Sequence, residues 1–389
     1  MTKLAELIDE LCPDGVEYKK LGEIATIIRG GNFQKKDFAD EGIPCIHYGQ
    51  IYTHYDLFTD ETITFIHEPP SKNQKYAEHG DIVMAVTSEN VEDVCKCVAW
   101  LGDEPCAISG HTAIIHHEQN PKYLAYYFHS SQFFQQKVKL AHGTKVIEVT
   151  PDRLNDIVLP LPPLEIQREI VRILDKFTEL TAELTAELTA REQQYEYYRN
   201  KLFSDDDANW VTLEEISINH DSERKPVKKG NRVSGNYPYY GASGIVDYVS
   251  EYIFDGDYLL VSEDGANLLA RTTPIAFSIS GKNWVNNHAH ILEFKNYDLR
   301  RYVEFYLNSI DLSSYISSGA QPKLNQANLN KIRIPLYTDA KIHHVVDVLD
   351  RFDAICHDLT AGLPAEIEAR EQQYEYYRDK LLTFKRKEA

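Results

Sequence analysis

Cysteines and histidines that could bind a metal are present, but their spacing matches no known ligand pattern. Cys95 and Cys97 precede His111, His116 and His117 in the sequence. A structural zinc site needs four ligands in closely spaced pairs, whereas the stretch 94–100 alternates like a β-strand. We therefore predict no metal site. Six cysteines in 389 residues do not indicate a disulfide framework, and we interpret them as reduced residues of a cytoplasmic protein.

Motifs for methyl transfer, nucleotide hydrolysis or DNA cleavage do not occur in the sequence. The stretches 236–240 and 68–71 match only superficially the Asn/Asp-Pro-Pro-Tyr/Phe turn of adenine methyltransferases. There is no Gly-x-x-x-x-Gly-Lys-Ser/Thr loop for phosphate, and no cluster of acids around a lysine indicates a nuclease. Glu263-Asp264-Gly265 could bind a metal, but this composition more often forms the turn at a strand end. We predict that the chain has no catalytic residues and binds no cofactor.

Two parts of the chain carry loops rich in polar, aromatic and glycine residues. Arg and Lys side chains can pair with guanine, and Asn and Gln side chains with adenine, while glycine lets the backbone approach a DNA groove closely. Each such residue alone is more often merely solvated, but the set recurs in two similar segments. The candidate DNA-binding residues are Arg29, Asn32, Tyr48, Gln50, Ser88, Asn90, His111, Thr144 and Lys145 in the first segment, and Tyr240, Ser243, Asp264, Asn267, Asn287, His288, Lys323 and Asn325 in the second.

His111 and His288 fall at corresponding places in the two segments. A buried, hydrogen-bonded histidine is the commoner explanation of such a recurrence, and contact with a ligand is the alternative. The sequence is compatible with both interpretations.

The elements that position these loops are revealed by an internal duplication. Residues 191–199 read Arg-Glu-Gln-Gln-Tyr-Glu-Tyr-Tyr-Arg, and the same nine letters return at 370–378. The flanks repeat as well, as Leu-Asp-Lys-Phe at 174–177 and Leu-Asp-Arg-Phe at 349–352. Short strand-like runs and turn signals upstream of each copy match in order, so that 237–240 corresponds to 43–46. The chain is therefore a tandem repeat of a globular segment, here called a head, followed by a long helix. In the first globular segment, a single helix is expected at about 122–139.

The two helices carry apolar residues at spacings of three and four, which predicts coiled-coil seams. We expect the two seams to pair antiparallel, with the second helix interrupted at Gly362 and Pro364. The first helix contains three Glu-Leu-Thr-Ala repeats at 179–190. Each repeat adds roughly 6 Å of helix and about 40° beyond a full turn. One interpretation is simply a solvent-exposed helix made of residues with high helix propensity. The repetition favours a second one, a spacer whose length sets the distance between the heads.

The net charge limits the partners that the chain could bind alone. It is −19, from 41 basic and 60 acidic residues, which opposes independent binding to a polyanion. The run at 224–229, Arg-Lys-Pro-Val-Lys-Lys, shows that basic residues nevertheless cluster in a head. If DNA is the ligand, another subunit should supply much of the neutralising charge.

Together these features resemble the specificity subunit of a type I restriction-modification enzyme. The resemblance covers nearly the whole chain and rests on the two nonapeptide copies, the Glu-Leu-Thr-Ala repeats, and the motifs at 237–244 and 284–290. It implies an α+β fold with two similar mixed target-recognition domains, two long antiparallel coiled-coil helices that separate them, and an internal pseudo-twofold repeat. The predicted domains are 1–160 and 204–337 for target recognition, 161–203 and 338–384 for the spacer helices, and 385–389 for the tail.

The resemblance also implies partners. Each head reads one half of a bipartite double-stranded DNA site, and the helices dock two methyltransferase subunits that methylate adenine N6. A restriction and translocase subunit joins through the methyltransferases. S-adenosylmethionine, ATP and magnesium then belong to the partner subunits. The expected methyltransferase-docking residues are Tyr195, Tyr198, Arg199, Tyr374, Tyr377 and Arg378.

Two other functions remain as alternatives at the level of the sequence. The first is an acidic coiled-coil scaffold whose two heads bind protein partners. The second, a chain that is itself a nuclease or methyltransferase, is opposed by the missing motifs. Because the N-terminus lacks a signal-peptide core and no apolar run is long enough to span a bilayer, we expect no membrane association.

Overall fold

The computed structural model describes residues 2–68, 72–204, 208–271, 273–317 and 322–388, so most of the stretch 68–71 lies outside the described residues. The chain divides into two compact units, Met1–Glu183 with Ile367–Ala389 and Leu184–Glu366. Across the described ranges, no helix is both long and apolar enough to cross a membrane.

The first unit combines short helices with many short strands. Its helices are α1 (Thr2–Leu11), α2 (Leu21–Ile24), α3 (Tyr48–Thr53), α4 (Pro121–Phe128), α5 (Ser131–Leu140) and α6 (Pro151–Leu154), followed by α7 (Leu164–Phe203), which continues into the second unit. Its strands are β1 (Tyr18–Lys20), β2 (Ala25–Arg29), β3 (Phe38–Ala39), β4 (Ile43–Ile46), β5 (Phe58–Thr59), β6 (Phe65–Ile66), β7 (Lys75–Ala77), β8 (Ile82–Ala85), β9 (Thr87–Ser88), β10 (Cys97–Trp100), β11 (Cys106–Ile108), β12 (Thr112–His117), β13 (Ile147–Glu148) and β14 (Val158–Pro160).

Two five-stranded sheets form the body of this unit, in the orders β2-β12-β8-β10-β5 and β3-β6-β4-β11-β7. The central strands β8 and β10 are buried at every position, which explains their continuous apolar sequence. Tyr123, Tyr126 and Tyr127 of α4 are buried in the same core. Their hydroxyls reach the Pro160 carbonyl, the Asp175 carboxylate and the Val158 carbonyl, so each polar tip is satisfied.

Two details of the first unit differ from the sequence-based expectation. The helix expected at 122–139 is two helices, because the Ser130 hydroxyl accepts the N–H of Phe133 and starts α5 as a new N-cap. The strand expected at 94–100 begins only at Cys97. Cys95 has a φ of 66°, a conformation that no regular strand contains.

The second unit repeats this plan with longer strands. Its helices are α8 (Leu213–Ile216), α9 (Gly265–Ala270), α10 (Tyr297–Ser309), α11 (Gln326–Asn330) and α12 (Asp339–His357), and α13 (Leu363–Leu381) leads back to the first unit. Its strands are β15 (Asn209–Thr212), β16 (Ile218–Asn219), β17 (Ser234–Gly241), β18 (Gly244–Val249), β19 (Phe254–Ser262), β20 (Ala276–Val285), β21 (Ala289–Glu293) and β22 (Arg333–Leu336).

The strand pairings of the second unit reproduce those of the first. Its main sheet has the order β16-β21-β19-β20-β17-β18, and its first three pairings are antiparallel, as are those of β2-β12-β8-β10. β17 lies parallel to β20, as β4 lies parallel to β11. The short pairs β1–β14 and β15–β22 also correspond. The predicted α+β class and the internal repeat are confirmed.

The repeated helices pack in the same way in both units. Phe177 stacks on Tyr377 in the first unit with ring centroids 5.4 Å apart, and Phe352 contacts Tyr198 in the second at 5.8 Å. Each nonapeptide copy therefore packs against the Leu-Asp-x-Phe flank of the other copy. Within the second unit, Tyr195 also contacts His357 at 5.7 Å, so α7 and α12 run antiparallel there.

The expected interruption of the second helix is present. α12 ends at His357 and α13 begins at Leu363. A Cβ on Gly362 would lie 2.7 Å from the carbonyl oxygens of Ala354 and Asp358, so the close approach of these turns requires glycine. α7, in contrast, is continuous over 40 residues and contains all three Glu-Leu-Thr-Ala repeats.

Candidate nucleic-acid interface

The loops that carry the candidate DNA-binding residues of each head are here called its rim. The first rim begins with a contact between two aromatic rings at the start of α3. Tyr48 and His111 are in contact, with ring centroids 5.0 Å apart. His47 caps α3: its Nδ1 accepts the N–H of Gly49 at 3.2 Å, and its own N–H donates to Gln50 Oε1 at 2.8 Å. Burial, with smaller contributions from Lys35 and His111, lowers the pKa of His47 to about 4. His47 is therefore a neutral cap that holds Tyr48 in place.

Gln50, a predicted contact residue, is placed differently from its neighbours in the rim. It is only 8% exposed, and its amide nitrogen donates to Thr64 Oγ1 at 2.9 Å. The side-chain oxygen of Gln50 thus completes the cap of α3, and its nitrogen joins the helix to the loop before β6.

Arg29 connects two loops of the same rim. Its Nε donates to the Gly110 carbonyl at 3.0 Å, and its Nη2 lies 3.0 Å from Glu148 Oε1. A Cβ on Gly30 would lie 2.1 Å from the Ser109 carbonyl oxygen, so the backbones of these loops touch. This close approach brings Arg29, and with it exposed Asn32, to the turn that carries His111.

The remaining predicted residues of the first rim lie beside Arg29 and α3. Ser88 pairs with Ile147 in the β9–β13 ladder, and Thr144 and Lys145 are exposed in the turn before β13. Tyr52 of α3 donates its hydroxyl to the Thr87 carbonyl at 2.7 Å. Most of the first set is therefore brought together. Asn90 lies beyond β9, where its side chain bonds to Asp93 at 2.7 and 2.8 Å.

The second rim centres on Asp264, His288 and Lys323. His288 Nδ1 lies 3.0 Å from Asp264 Oδ2, and Lys323 Nζ lies 3.8 Å from Asp264 Oδ1 and 3.4 Å from Glu263 Oε1. A backbone bridge joins Asp264 to Lys323. Residues far apart in sequence thus form one charged cluster.

His111 and His288 are equivalent in the structure. The carbonyl of each accepts an N–H from the residue that directly follows the neighbouring central strand, from Val86 after β8 at 3.0 Å and from Glu263 after β19 at 2.9 Å. Both side chains are exposed, so the commoner explanation, a buried structural histidine, is wrong for this pair.

The other predicted residues of the second rim surround the charged cluster. The N–H of Asn286 donates to the Tyr240 carbonyl at 3.1 Å, which joins the β17–β18 hairpin to the turn of exposed Asn287. Ser243 is exposed at the hairpin tip. Asn267 and Asn325 are committed to local structure: Asn267 Oδ1 accepts from Thr273, and Asn325 Oδ1 accepts from the N–H of Asn328.

A buried charge network that the sequence analysis missed supports this cluster. His290 Nδ1 lies 2.5 Å from Asp221 Oδ2, and His290 Nε2 donates to the Leu324 carbonyl at 2.7 Å. Arg224 contacts both Asp221, at 3.4 Å, and Glu263, at 3.0 Å. Burial alone would raise the pKa of Asp221, but the hydrogen bond from His290 and the charge of Arg224 outweigh it and leave that pKa below its ordinary value.

The nonapeptide copies expose one face of their helix and pack the other. Tyr195 and Tyr374, both predicted docking residues, lie against the cores of their own units. Tyr377 packs on Phe177, and Tyr198 is 42% exposed. Arg199 and Arg378 lie over the rings of Tyr195 and Tyr374 at 5.3 and 5.5 Å.

The most exposed aromatic residues of the two copies are Tyr197 and Tyr376, at 61% and 60%, and neither was predicted. Each has a lysine four residues later over its ring, Lys201 at 5.8 Å and Lys380 at 5.5 Å. Their positions opposite the seam on the helical wheel are the signal that identifies them.

The cysteines and histidines considered for zinc are separated in the fold. His116 Nδ1 lies 2.7 Å from Asp81 Oδ2, and His117 Nδ1 accepts the N–H of Gln119. Cys95 and Cys97 are buried, and burial raises the pKa of the Cys95 thiol to about 12. Within the described part of the chain, no three His, Cys, Asp or Glu residues are grouped to hold a metal ion.

The family model for the type I restriction modification DNA specificity domain matches residues 13–191 and 206–369. The chain belongs to this family. The two matches contain the two rims described above, one in each.

Relatives and solved structures agree with this assignment. A Haemophilus influenzae protein named as a type I restriction enzyme specificity subunit is 36% identical over 189 residues, which are 48% of this chain and 49% of that protein. The Escherichia coli EcoR124I/EcoR124II specificity subunit is 32% identical over 254 residues, 59% of this chain and 62% of the relative. The chain thus spans about half to three fifths of these relatives. The S subunit of a type I system from M. genitalium has the same fold, with a TM-score of 0.58 at 16% identity, covering 95% of this chain and 96% of that one.

Proposed function

We propose that this chain is the DNA sequence-recognition subunit of a type I restriction-modification complex. Each head reads one half of a bipartite double-stranded DNA site, and the chain itself contributes no catalytic residue. The observation that supports this most strongly is the pair of equivalent rims, one on each copy of the family's specificity domain. The rims share a scaffold and the equivalent histidines, His111 and His288, but differ in the side chains beside them: Tyr48 in one rim, Asp264 and Lys323 in the other. Two domains that recognise different base sequences need a shared scaffold that carries different side chains.

The partners follow from the same assignment. The exposed faces of the nonapeptide copies dock two methyltransferase subunits, which bring S-adenosylmethionine, and a restriction subunit that uses ATP and magnesium joins through them. The complex works in the cytoplasm. Its methyltransferases supply much of the positive charge that a chain of net charge −19 lacks.

Methylome sequencing tests this function. Cells expressing the chain together with its methyltransferase subunit should gain N6-methyladenine in a gapped two-part motif, and cells expressing either protein alone should not. A complex that assembles without adding methylation at any motif would contradict the proposal. That result would favour the alternative function, an acidic coiled-coil scaffold whose two heads bind protein partners.

A further inference from the structure

Each head carries a lysine-rich segment at the same place in its topology. The first lysine segment, residues 30–37, follows β2 and leads to β3 and β4. The second, residues 224–232, follows β16 and leads to β17. Both contain two adjacent lysines at the start of a 3-10 turn, Lys35–Lys36 and Lys228–Lys229, and the second adds Lys225. Because the two heads differ in most of their exposed residues, the presence of this feature in both indicates a shared role.

The backbone of the first lysine segment is firmly held. Gly31 donates its N–H to the Ile108 carbonyl at 2.8 Å, and Phe33 is only 2% exposed. The N–H of Gln34 donates to Asp37 Oδ2 at 2.7 Å. The lysine pair therefore projects from a fixed turn.

The second lysine segment is held by different side chains to the same effect. Trp284 Nε1 donates to the Lys225 carbonyl at 2.6 Å, and the N–H of Val227 donates to the Tyr239 hydroxyl at 2.9 Å. Arg232 donates to the Val227 carbonyl at 3.0 Å and lies over the Tyr239 ring. These contacts hold the backbone at Lys225 and Val227 without a ligand, which reduces the entropy cost of binding.

The charges of the two segments fall into two classes. The arginines are neutralised within the protein, Arg224 by Asp221 and Glu263 and Arg232 by Asp247 at 3.0 Å. The lysines are exposed, and within the described ranges none has a carboxylate within 4.0 Å; they are Lys35, Lys36, Lys225, Lys228 and Lys229. In a chain of net charge −19, clusters of exposed lysines without an ion-paired carboxylate are where a polyanion meets the least repulsion.

The two segments also border the rims. A Cβ on Gly110, beside His111, would lie 2.8 Å from the Gly31 carbonyl oxygen, and Arg224 links the second segment to Glu263 at 3.0 Å. A ligand that contacts a rim therefore passes next to its lysine segment.

We propose that the two lysine segments bind phosphates of the DNA backbone and fix the position of each head on the duplex. This proposal rests on the proposed function and assigns different DNA contacts to two parts of each head. The rim contacts bases, and the lysine segments contact phosphates, for which a lysine ammonium on a flexible stem is suited because it acts as a point charge without fixed geometry.

The test is the salt dependence of DNA binding by the chain assembled with its methyltransferase subunit. Two double variants, K35Q/K36Q and K228Q/K229Q, are compared with wild type on a duplex carrying the methylome motif and on one lacking it. Each lost phosphate contact should reduce the slope of log K against log salt by about 0.9. A double variant should therefore lose roughly twelve-fold less affinity than wild type between 50 and 200 mM salt.

The matched control is K385Q/K387Q. These two lysines are exposed as well, but lie outside both segments, where the Lys385 carbonyl accepts the N–H of Val16 at 2.8 Å. The control should keep the wild-type slope, and all three variants should keep the wild-type melting temperature because the substituted side chains are exposed.

The outcomes separate the two proposals. Reduced slopes on both duplexes, with an unchanged methylation motif, support the phosphate role. Wild-type slopes in the segment variants, an equal reduction in the control, or a changed motif overturn it while the proposed function stands. If the wild-type complex does not prefer the motif duplex, the proposed function fails first, and the phosphate role fails with it.

Discussion

At the scale of single residues, a buried charge network shapes the second rim. Asp221 accepts hydrogen bonds from His290 at 2.5 Å and from the N–H of Ile291 at 3.0 Å. Asp221 therefore lies between two hydrogen-bond partners that favour its ionised form, in line with its lowered pKa. Removing one partner of a buried pair leaves the other unsatisfied, which costs more than the pair itself contributes.

We expect Asp221→Asn to destabilise the second unit by about 3 kcal/mol at neutral pH. The pKa of Asp221 is lower in the folded state, so its contribution is fully present above the unfolded value of ~3.9 and is lost as pH falls through the folded value. Urea unfolding of both proteins measured between pH 7 and pH 3 should show a difference in unfolding free energy that stays constant down to about pH 4 and narrows below it, by at most about 1.4 kcal/mol per pH unit for one carboxylate. A difference that grew on acidification would have the wrong sign for this carboxylate.

The two equivalent histidines allow a paired test of the rims. His111→Ala should weaken or relax reading of one half-site by about 1–3 kcal/mol, and His288→Ala should do the same to the other half-site. Each variant is the control for its counterpart. Methylome sequencing reads both halves at once, and a variant that altered both halves would show that the heads do not read independently.

At the scale of elements, the sequence predicted what depends on local periodicity and repetition. The seam spacings and the nonapeptide copies were sufficient to predict the two long helices. The predicted correspondence of 43–46 with 237–240 is confirmed, because β4 and β17 each pair parallel to a strand at the matching place in their sheets. The division between α4 and α5 was missed because one serine cap outweighed a continuous pattern. The network of Asp221 and His290 was missed because its members are 69 residues apart, and only the sheet brings them together.

The helix that carries each nonapeptide copy has an exposed face, which we expect to dock the methyltransferase, and a buried face that packs in the core of its unit. Tyr197→Ala with Tyr376→Ala should leave the melting temperature unchanged and weaken co-purification with the methyltransferase subunit, because both rings are about 60% exposed. Tyr195→Ala should instead lower the melting temperature, since its ring is 9% exposed and packs in the core of the second unit. Normal assembly by the Tyr197/Tyr376 variant would remove these tyrosines from the docking surface.

At the scale of the whole molecule, α7 is the uninterrupted element that joins the two units. Its three Glu-Leu-Thr-Ala repeats continue from the first unit into the second, and their leucines, Leu180, Leu184 and Leu188, are only half-buried. The corresponding stretch of the second copy, 358–361, reads Asp-Leu-Thr-Ala but forms a turn, where Asp358 accepts the N–H groups of Thr360 at 2.7 Å and Ala361 at 3.2 Å. The repeats are therefore continuously helical in α7, whereas the corresponding stretch of the second copy interrupts its helix.

Deleting one repeat, 187–190, should shorten the gap between the two half-sites and leave both half-sites unchanged. The deletion removes about 6 Å of helix and one turn plus about 40°, while every rim residue keeps its local contacts. Methylome sequencing of the deletion, beside wild type and a variant with 187–190 replaced by Glu-Ala-Ala-Ala, measures gap and half-sites together. The replacement keeps the helix length and should keep the wild-type gap. An unchanged gap in the deletion, or altered half-sites, would show that the length of α7 does not set the spacing.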